Sequence, residues 1–371
     1  MPATPLHILV IGQTPPAPGS PLQQILDRFL AHGWQVTPGD PAPDIVLFDG
    51  HRMEEQFGAH IEQQHPNALR VLTIPLLHSL REARQALLRR RLVTGLDPND
   101  FRELFTTSGS DLYQQMAPTE LAQREIAAIH RSDLSLVTSD VEIDLLVNGF
   151  GVPPDLLHWC PPLLLAPQAM APFGEREHMV GFVDFRDPAD WDAVLWLRHN
   201  IWPMTRRHLP DVQLRLYGPS PTEKALALHD PVGGLLIHEQ PEVPLDVMSK
   251  ARLCLAPLRF GAGTKAVLAN ALLAGTPAII TPIGSEAMHG NQPWPGLVSG
   301  TAEGLAKAAI SLYSDEARWN QAQRDARQVL ERHFNPQWHG AALVQRIQQT
   351  LMGLADQRLY NFTGAMLRRS R

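Results

Sequence analysis

The sequence predicts an α/β protein made of two doubly wound parallel-sheet domains in tandem. Three observations predict it. Short apolar runs alternate with stretches of helical period through residues 7–150, a Pro-rich passage breaks that alternation between Cys160 and Pro172, and the alternation restarts at His178. Such alternation places a parallel sheet between two layers of helices.

In the first half, residues 7–12 form an apolar run, 22–31 have helical period, and 34–37 and 44–49 are strand-like. Residues 70–74 follow as a strand, 80–92 as a long helix and 134–139 as a further strand with a helix after it. The second half repeats the logic. Strands are expected at 178–183, 213–217, 235–238, 253–256 and 277–281, with helices across 191–206, from Pro244, and across 264–274. The chain after residue 304 is helical in period and ends in the basic Arg368-Arg-Ser-Arg371. The expected division is therefore 1–165, 166–335 and a helical tail, 336–371, with a cleft between the two domains.

Composition narrows the function classes. A chain of 371 residues with 44% hydrophobic and 19% charged residues is globular, and a net charge of −6 argues against a duplex-wide nucleic-acid footprint. The two cysteines, Cys160 and Cys254, are far apart and flanked by apolar residues, which supports buried thiols and no disulfide framework. No signal peptide and no apolar run of about 20 residues is visible, so a cytoplasmic protein without a transmembrane segment is expected.

The most informative segment is Ala256-Pro-Leu-Arg-Phe-Gly-Ala-Gly-Thr-Lys265, which leaves a strand and opens a helix, followed by Ala274-Gly-Thr-Pro277 and Thr281-Pro-Ile-Gly-Ser-Glu286. An isolated Gly-x-Gly reads equally well as a tight turn. Here two Gly-containing loops precede two helices, and helix starts favour anions through their unsatisfied N–H groups. Arg259 and Lys265 add cations at the same mouth. Together they suit a diphosphate leaving group that gains negative charge.

This run resembles the nucleotide-binding stretch of the retaining GT-B glycosyltransferases of family 4, also called group 1. In them a Gly-Ala-Gly loop, a Lys, an acidic residue on the helix, Ala-Gly-x-Pro and a second Gly loop recur in order. The passages from Arg131 to Ser139, from Phe150 to Pro153, from Trp191 to Val194 and from Leu216 to Pro219 resemble other parts of the same family, so the likeness covers most of the chain. It implies a GT-B fold. It also implies that Arg259, Gly261, Gly263, Thr264, Lys265 and Gly218 hold the donor diphosphate, that Asn270, Gly284, Ser285 and Glu286 face the donor ribose and sugar, and that the backbone near Ile237 and His238 faces the base. His78 is the candidate catalytic residue, placed to bind or orient the acceptor, with a packed structural histidine as the alternative.

Several positions depart from that pattern. Asn270 places an amide where the family has a carboxylate, which exchanges a charge-assisted hydrogen bond for a neutral one at a cost of about 1 kcal/mol. Val267 stands where a second basic residue often follows the loop Lys. The passage Leu72-Thr-Ile-Pro-Leu-Leu-His78 lacks the carboxylates that usually precede the His, and prolines stiffen the loop from Gly12 to Ser20. Glu54 and Glu55 are further candidates beside the cleft, with a solvated helix start as the alternative. The run Arg89-Arg-Arg91 reads as a solvated helix face or an anion site.

Asp190-Trp-Asp192 spells the DxD of metal-dependent transferases but falls at a helix start, where Asp caps. No His-based metal motif is apparent. The expected function is transfer of a hexose from a nucleoside diphosphate sugar, with retention and without cofactor or metal, to a glycan, protein or small molecule. The alternative is a catalytically inactive GT-B protein that binds or assembles with a protein partner.

Overall fold

The structure is a computed structural model that describes residues 5–12, 16, 19–38 and 41–369. It contains two six-stranded sheets, each wholly parallel. The first is built from β1 (His7–Ile11), β2 (Gln35–Val36), β3 (Ile45–Asp49), β4 (Leu69–Ile74), β5 (Leu134–Val137) and β6 (Leu157–Trp159), in the order β2-β1-β3-β4-β5-β6. The second is built from β7 (Glu177–Phe182), β8 (Leu214–Gly218), β9 (Leu235–Glu239), β10 (Ala251–Ala256), β11 (Ala278–Ile280) and β12 (Gly296–Val298), in the order β12-β11-β10-β7-β8-β9. Register in both is set by strands buried on two faces, as in Ile45-Val46-Leu47-Phe48, none of which is exposed.

The chain divides into two compact units, one of residues 1–80, 108–163 and 336–371, the other of residues 81–107 and 164–335. The sequence places one boundary near residue 165. The structure adds two exchanges, each with a physical cause. Residues 81–107 join the second unit because Leu88, Phe101 and Leu104 are buried in its core and the Phe101 amide donates to the Gly300 carbonyl at 2.8 Å. The helix Pro336–Met352 joins the first unit because Leu343, Val344 and Ile347 pack with Leu22, Ile25 and Leu26 of the helix Pro21–Ala31. Arg358 then pins the tail, giving a forked contact to Asp133 at 2.6 and 2.8 Å and a bond to the Ala68 carbonyl at 2.7 Å.

The second sheet is covered on both faces. Met179, Leu214, Leu216, Leu253 and Ile279 point into one cluster, and Val180, Cys254, Ala256, Ala278 and Ile280 into the other. Cys160 and Cys254 are both buried, which pushes each thiol up to about 12. Two edge strands escape the sequence. β6 and β12 are three residues each and, unlike the equally short but wholly buried β11, neither is a continuous buried apolar run. The single helix expected across 191–206 runs instead from Pro188 to His208 through a π turn, Leu197–Ile201, just before Pro203. Pro203 cannot donate to the preceding turn, and the wider turn accommodates it.

Arg176 is the knot of the second unit. Fully buried, it donates to the carbonyls of Ala171 at 2.9 Å and Ala274 at 2.6 Å and to the Thr276 hydroxyl at 2.6 Å, and it lies 5.0 Å from the Trp319 ring. Burial lowers its pKa to about 10, which leaves it charged at neutral pH. Arg176→Met should therefore strand several buried acceptors and cost about 3 kcal/mol or more, read as a lower urea midpoint at unchanged m-value.

Candidate functional site

In open parallel sheets, ligands bind beyond the carboxyl ends of the strands where the strand order reverses. In the second sheet the chain runs outward through β7, β8 and β9, then returns to the other side of β7 as β10. The loops that leave β7 and β10 are thereby neighbours, and the second of them is 257–265, the glycine loop.

Gly263 has φ +65°, a conformation that L side chains rarely adopt, so glycine is required there. Gly261 is different. A Cβ there would meet only Ile283, at 3.7 Å, so packing does not demand a glycine. Gly218 ends β8 under a tight constraint, because a Cβ would lie 2.2 Å from the Val183 carbonyl in the loop after β7. It lets two loops of the crevice approach each other.

Lys265 sits at the start of the helix Ala266–Ala274, whose first turn receives no side-chain cap. Its side chain is buried, with Nζ donating to the Glu286 carbonyl at 3.3 Å. Thr264 and Asn270 are half-buried on the same loop and helix. The second glycine loop is held by Thr281, whose hydroxyl donates to the Leu258 carbonyl and accepts from the Gly284 amide at 3.2 Å. A Cβ at Gly284 would press on Ile280 at 3.2 Å. Ser285 donates back to the Pro282 carbonyl at 2.9 Å.

Arg259 has a partner that the sequence does not reveal. Its guanidinium makes a forked contact with Asp192, with Nε at 2.7 Å, and lies 4.7 Å from the Phe101 ring and 5.4 Å from the Trp196 ring. The arginine expected to grip a phosphate is thus engaged in holding the glycine loop against the helix Pro188–Trp196. Glu286, expected to face the donor, is similarly engaged. Arg84 grips its carboxylate at 2.7 and 2.8 Å and also donates to the Gly261 carbonyl at 2.8 Å. Arg84 is buried, and it ties the two glycine loops together.

The Asp190-Trp-Asp192 carboxylates are spent within the unit. Asp192 holds Arg259, and Asp190 accepts from the Asp184 amide at 2.8 Å. Beyond this, Phe182, Tyr217 and His238 stack in register across three adjacent strands, with successive centroids 5.3 and 4.9 Å apart. Burial lowers the pKa of His238, which stays neutral near pH 7.

His78 belongs to the first unit. It opens the helix His78–Val93, donates its amide to Glu125 at 2.8 Å, and its ring lies 5.8 Å from that of His51. Glu54 and Glu55 are not available near it. Glu54 is buried in a forked pair with Arg131, at 2.7 Å for the shortest contact, and Glu55 pairs with Arg124. Arg89 and Arg91 are exposed, the latter beside Glu103 at 3.0 Å. Most of the loop from Gly12 to Ser20 lies outside the described residues. Among the described residues no helix is long and apolar enough to cross a membrane.

Sequence reasoning missed Arg84, the Asp192 partner, His51 and Glu125. Only His51 carried a signal, since it directly follows an apolar strand and the glycine Gly50, which has φ +83°.

Burial pushes Asp190 up to about 6, with Asp187 and Asp184 adding repulsion. The native state therefore keeps a proton that the unfolded chain releases near pH 4. Stability should fall as pH rises from about 4 to about 6 by an amount on the order of 1–3 kcal/mol, and stay lowered above that. Asp190→Asn should remove this decline, so urea titrations of the two proteins should diverge at pH 7.5 and agree below pH 4.

Solved structures share this architecture. The sucrose-phosphate synthase of Thermosynechococcus elongatus superposes with a TM-score of 0.63 at 15% identity, over 94% of this chain and 100% of its own. HepE of Anabaena, solved with UDP and glucose, gives 0.60 at 12% identity, over 93% and 100%. TarM of S. aureus gives 0.59 at 13% identity, over 83% of this chain and 55% of its own, so this chain spans about half the length of TarM. No curated protein matches by sequence. The fold is GT-B, and residues 178–315, within the second unit, match the family described as glycosyl transferases group 1.

Proposed function

We propose that this protein transfers a hexose from a nucleoside diphosphate sugar to an acceptor hydroxyl, with the donor diphosphate on the glycine loop of the second unit. The observation that carries this reading is Lys265 at the uncapped start of the helix Ala266–Ala274, at the strand-order reversal and inside the segment that matches the glycosyl transferases. First-turn amides and an ammonium are what a departing diphosphate requires. HepE, similar in fold, was solved with UDP and glucose, which supports a uridine nucleotide as the first donor to try.

In the proposed step the bond between the anomeric carbon and the β-phosphate oxygen breaks and its electron pair passes to the diphosphate. The acceptor oxygen bonds the anomeric carbon, on the face that retains configuration. Its proton passes to the departing phosphate. Lys265 meets the developing charge. Arg259 and Arg84 set the shape of the loop that does so, through Asp192, Glu286 and the Gly261 carbonyl.

Calorimetric titration with UDP and GDP should detect binding of one of them. Lys265→Ala should weaken it about 10–100-fold, the loss expected for one charge-assisted contact. Arg259→Met should lower the melting temperature more than the affinity. Absence of binding to either nucleotide would overturn the proposal, and binding without turnover of any sugar nucleotide would favour the silent GT-B alternative.

A further inference from the structure

We propose that His51, His78 and Glu125 of the first unit form a binding site for a zinc ion. One ligand atom from each lies within 4.8 Å of the others, a grouping of two imidazoles and one carboxylate. That donor set suits a borderline divalent cation, with room for a water or hydroxyl in the fourth position. The inference does not depend on sugar transfer.

The site falls where the first sheet reverses its strand order. β1 leads to β2 on one side and β3 lies on the other, so the loop after β3 opens on a crevice, as the glycine loop does in the second unit. His51 is delivered by that loop, directly after Gly50. His78 comes from the loop after β4 and Glu125 from the helix Glu120–Arg131. All three line one cavity of about 120 Å³, together with Asp49 and Thr73.

Two observations separate this cluster from a packed structural histidine. His51 is 8% exposed, and its Nε2 is buried with no hydrogen-bond partner. An unsatisfied buried imidazole nitrogen costs about 1–3 kcal/mol. Its Nδ1 stands 3.8 Å from Glu125 Oε1, too far for a hydrogen bond. The cost is incurred without a protein partner to explain it.

The second observation is the support around Glu125. Its carboxylate accepts from the amides of His78 at 2.8 Å and Ser79 at 3.1 Å and from the Ser79 hydroxyl. These contacts hold the carboxylate in place, as outer-shell partners do for metal ligands. Zinc bonds of about 2.0–2.2 Å require ligand atoms about 3.4 Å apart. The ligand atoms must therefore approach one another by up to about 1.4 Å on binding the ion.

The test uses the full chain, stripped with chelator and titrated with Zn²⁺ by calorimetry and with Co²⁺ by visible absorption. One equivalent should bind, Co²⁺ should give the intense bands of a four-coordinate ion, and Zn²⁺ should raise the melting temperature. His51→Ala and His78→Ala should each weaken binding by more than the roughly 10–100-fold that loss of an outer-shell partner costs, and should abolish the thermal shift. His208→Ala, at an exposed histidine, should leave both unchanged. If His51→Ala does not fold, His78→Ala decides. No binding, several weak equivalents, or affinity that survives both substitutions would mean an adventitious ion only and overturn the site. Nucleotide binding is read separately, so failure here leaves the donor proposal standing.

Discussion

The feature on which the rest of the molecule depends is the reversal of strand order in each parallel sheet. A parallel strand needs a crossover, and a sheet that grows outward from β7 in both directions must leave two crossovers diverging at its centre. The carboxyl ends of β7 and β10 cannot both be roofed by helices, so a crevice forms whatever side chains are present. Chemistry-bearing residues then need only occur in those loops. In the second unit those loops carry the glycines and Lys265, and in the first they carry His51 and His78.

Arginine is the means by which loops at both ends of the sheets are held. Arg176, Arg84, Arg259 and Arg358 each spread one planar guanidinium over two or more acceptors from segments distant in sequence. Lysine could not do this, since its single ammonium offers no fixed fork. The arrangement suits loops rich in glycine, which have few side chains for packing. Arg84 fixes Gly261 through its backbone carbonyl.

These contacts explain what could be read in the sequence and what could not. The sheets were legible because buried parallel strands appear as continuous apolar runs, and the glycine loop because Gly261 and Gly263 stand just before Lys265 at a strand-to-helix junction. β6 and β12 were not legible because neither is a continuous buried apolar run, unlike the equally short β11. The partner of Arg259 was hidden for a different reason, since Asp192 lies 67 positions away. Arg84 lies 177 positions from Gly261, and the members of the His51, His78 and Glu125 cluster come from three separate elements. Periodicity reports an element and its buried face. It does not report which loop ends meet.

The pairing of Arg259 and Arg84 changes how the glycine loop can meet an anion. With each guanidinium matched to a carboxylate, both contribute position more than net charge, because a paired charge is screened at the distance of a ligand. On the proposed reading, an incoming diphosphate is then met by Lys265 and by the amides of the first helical turn. Amides in a fixed turn need no reorganisation as charge develops on a leaving group, whereas a mobile side chain must be ordered first. The loop's rigidity is therefore part of its electrostatics. Asp192 and Glu286 hold the arginines that shape the loop.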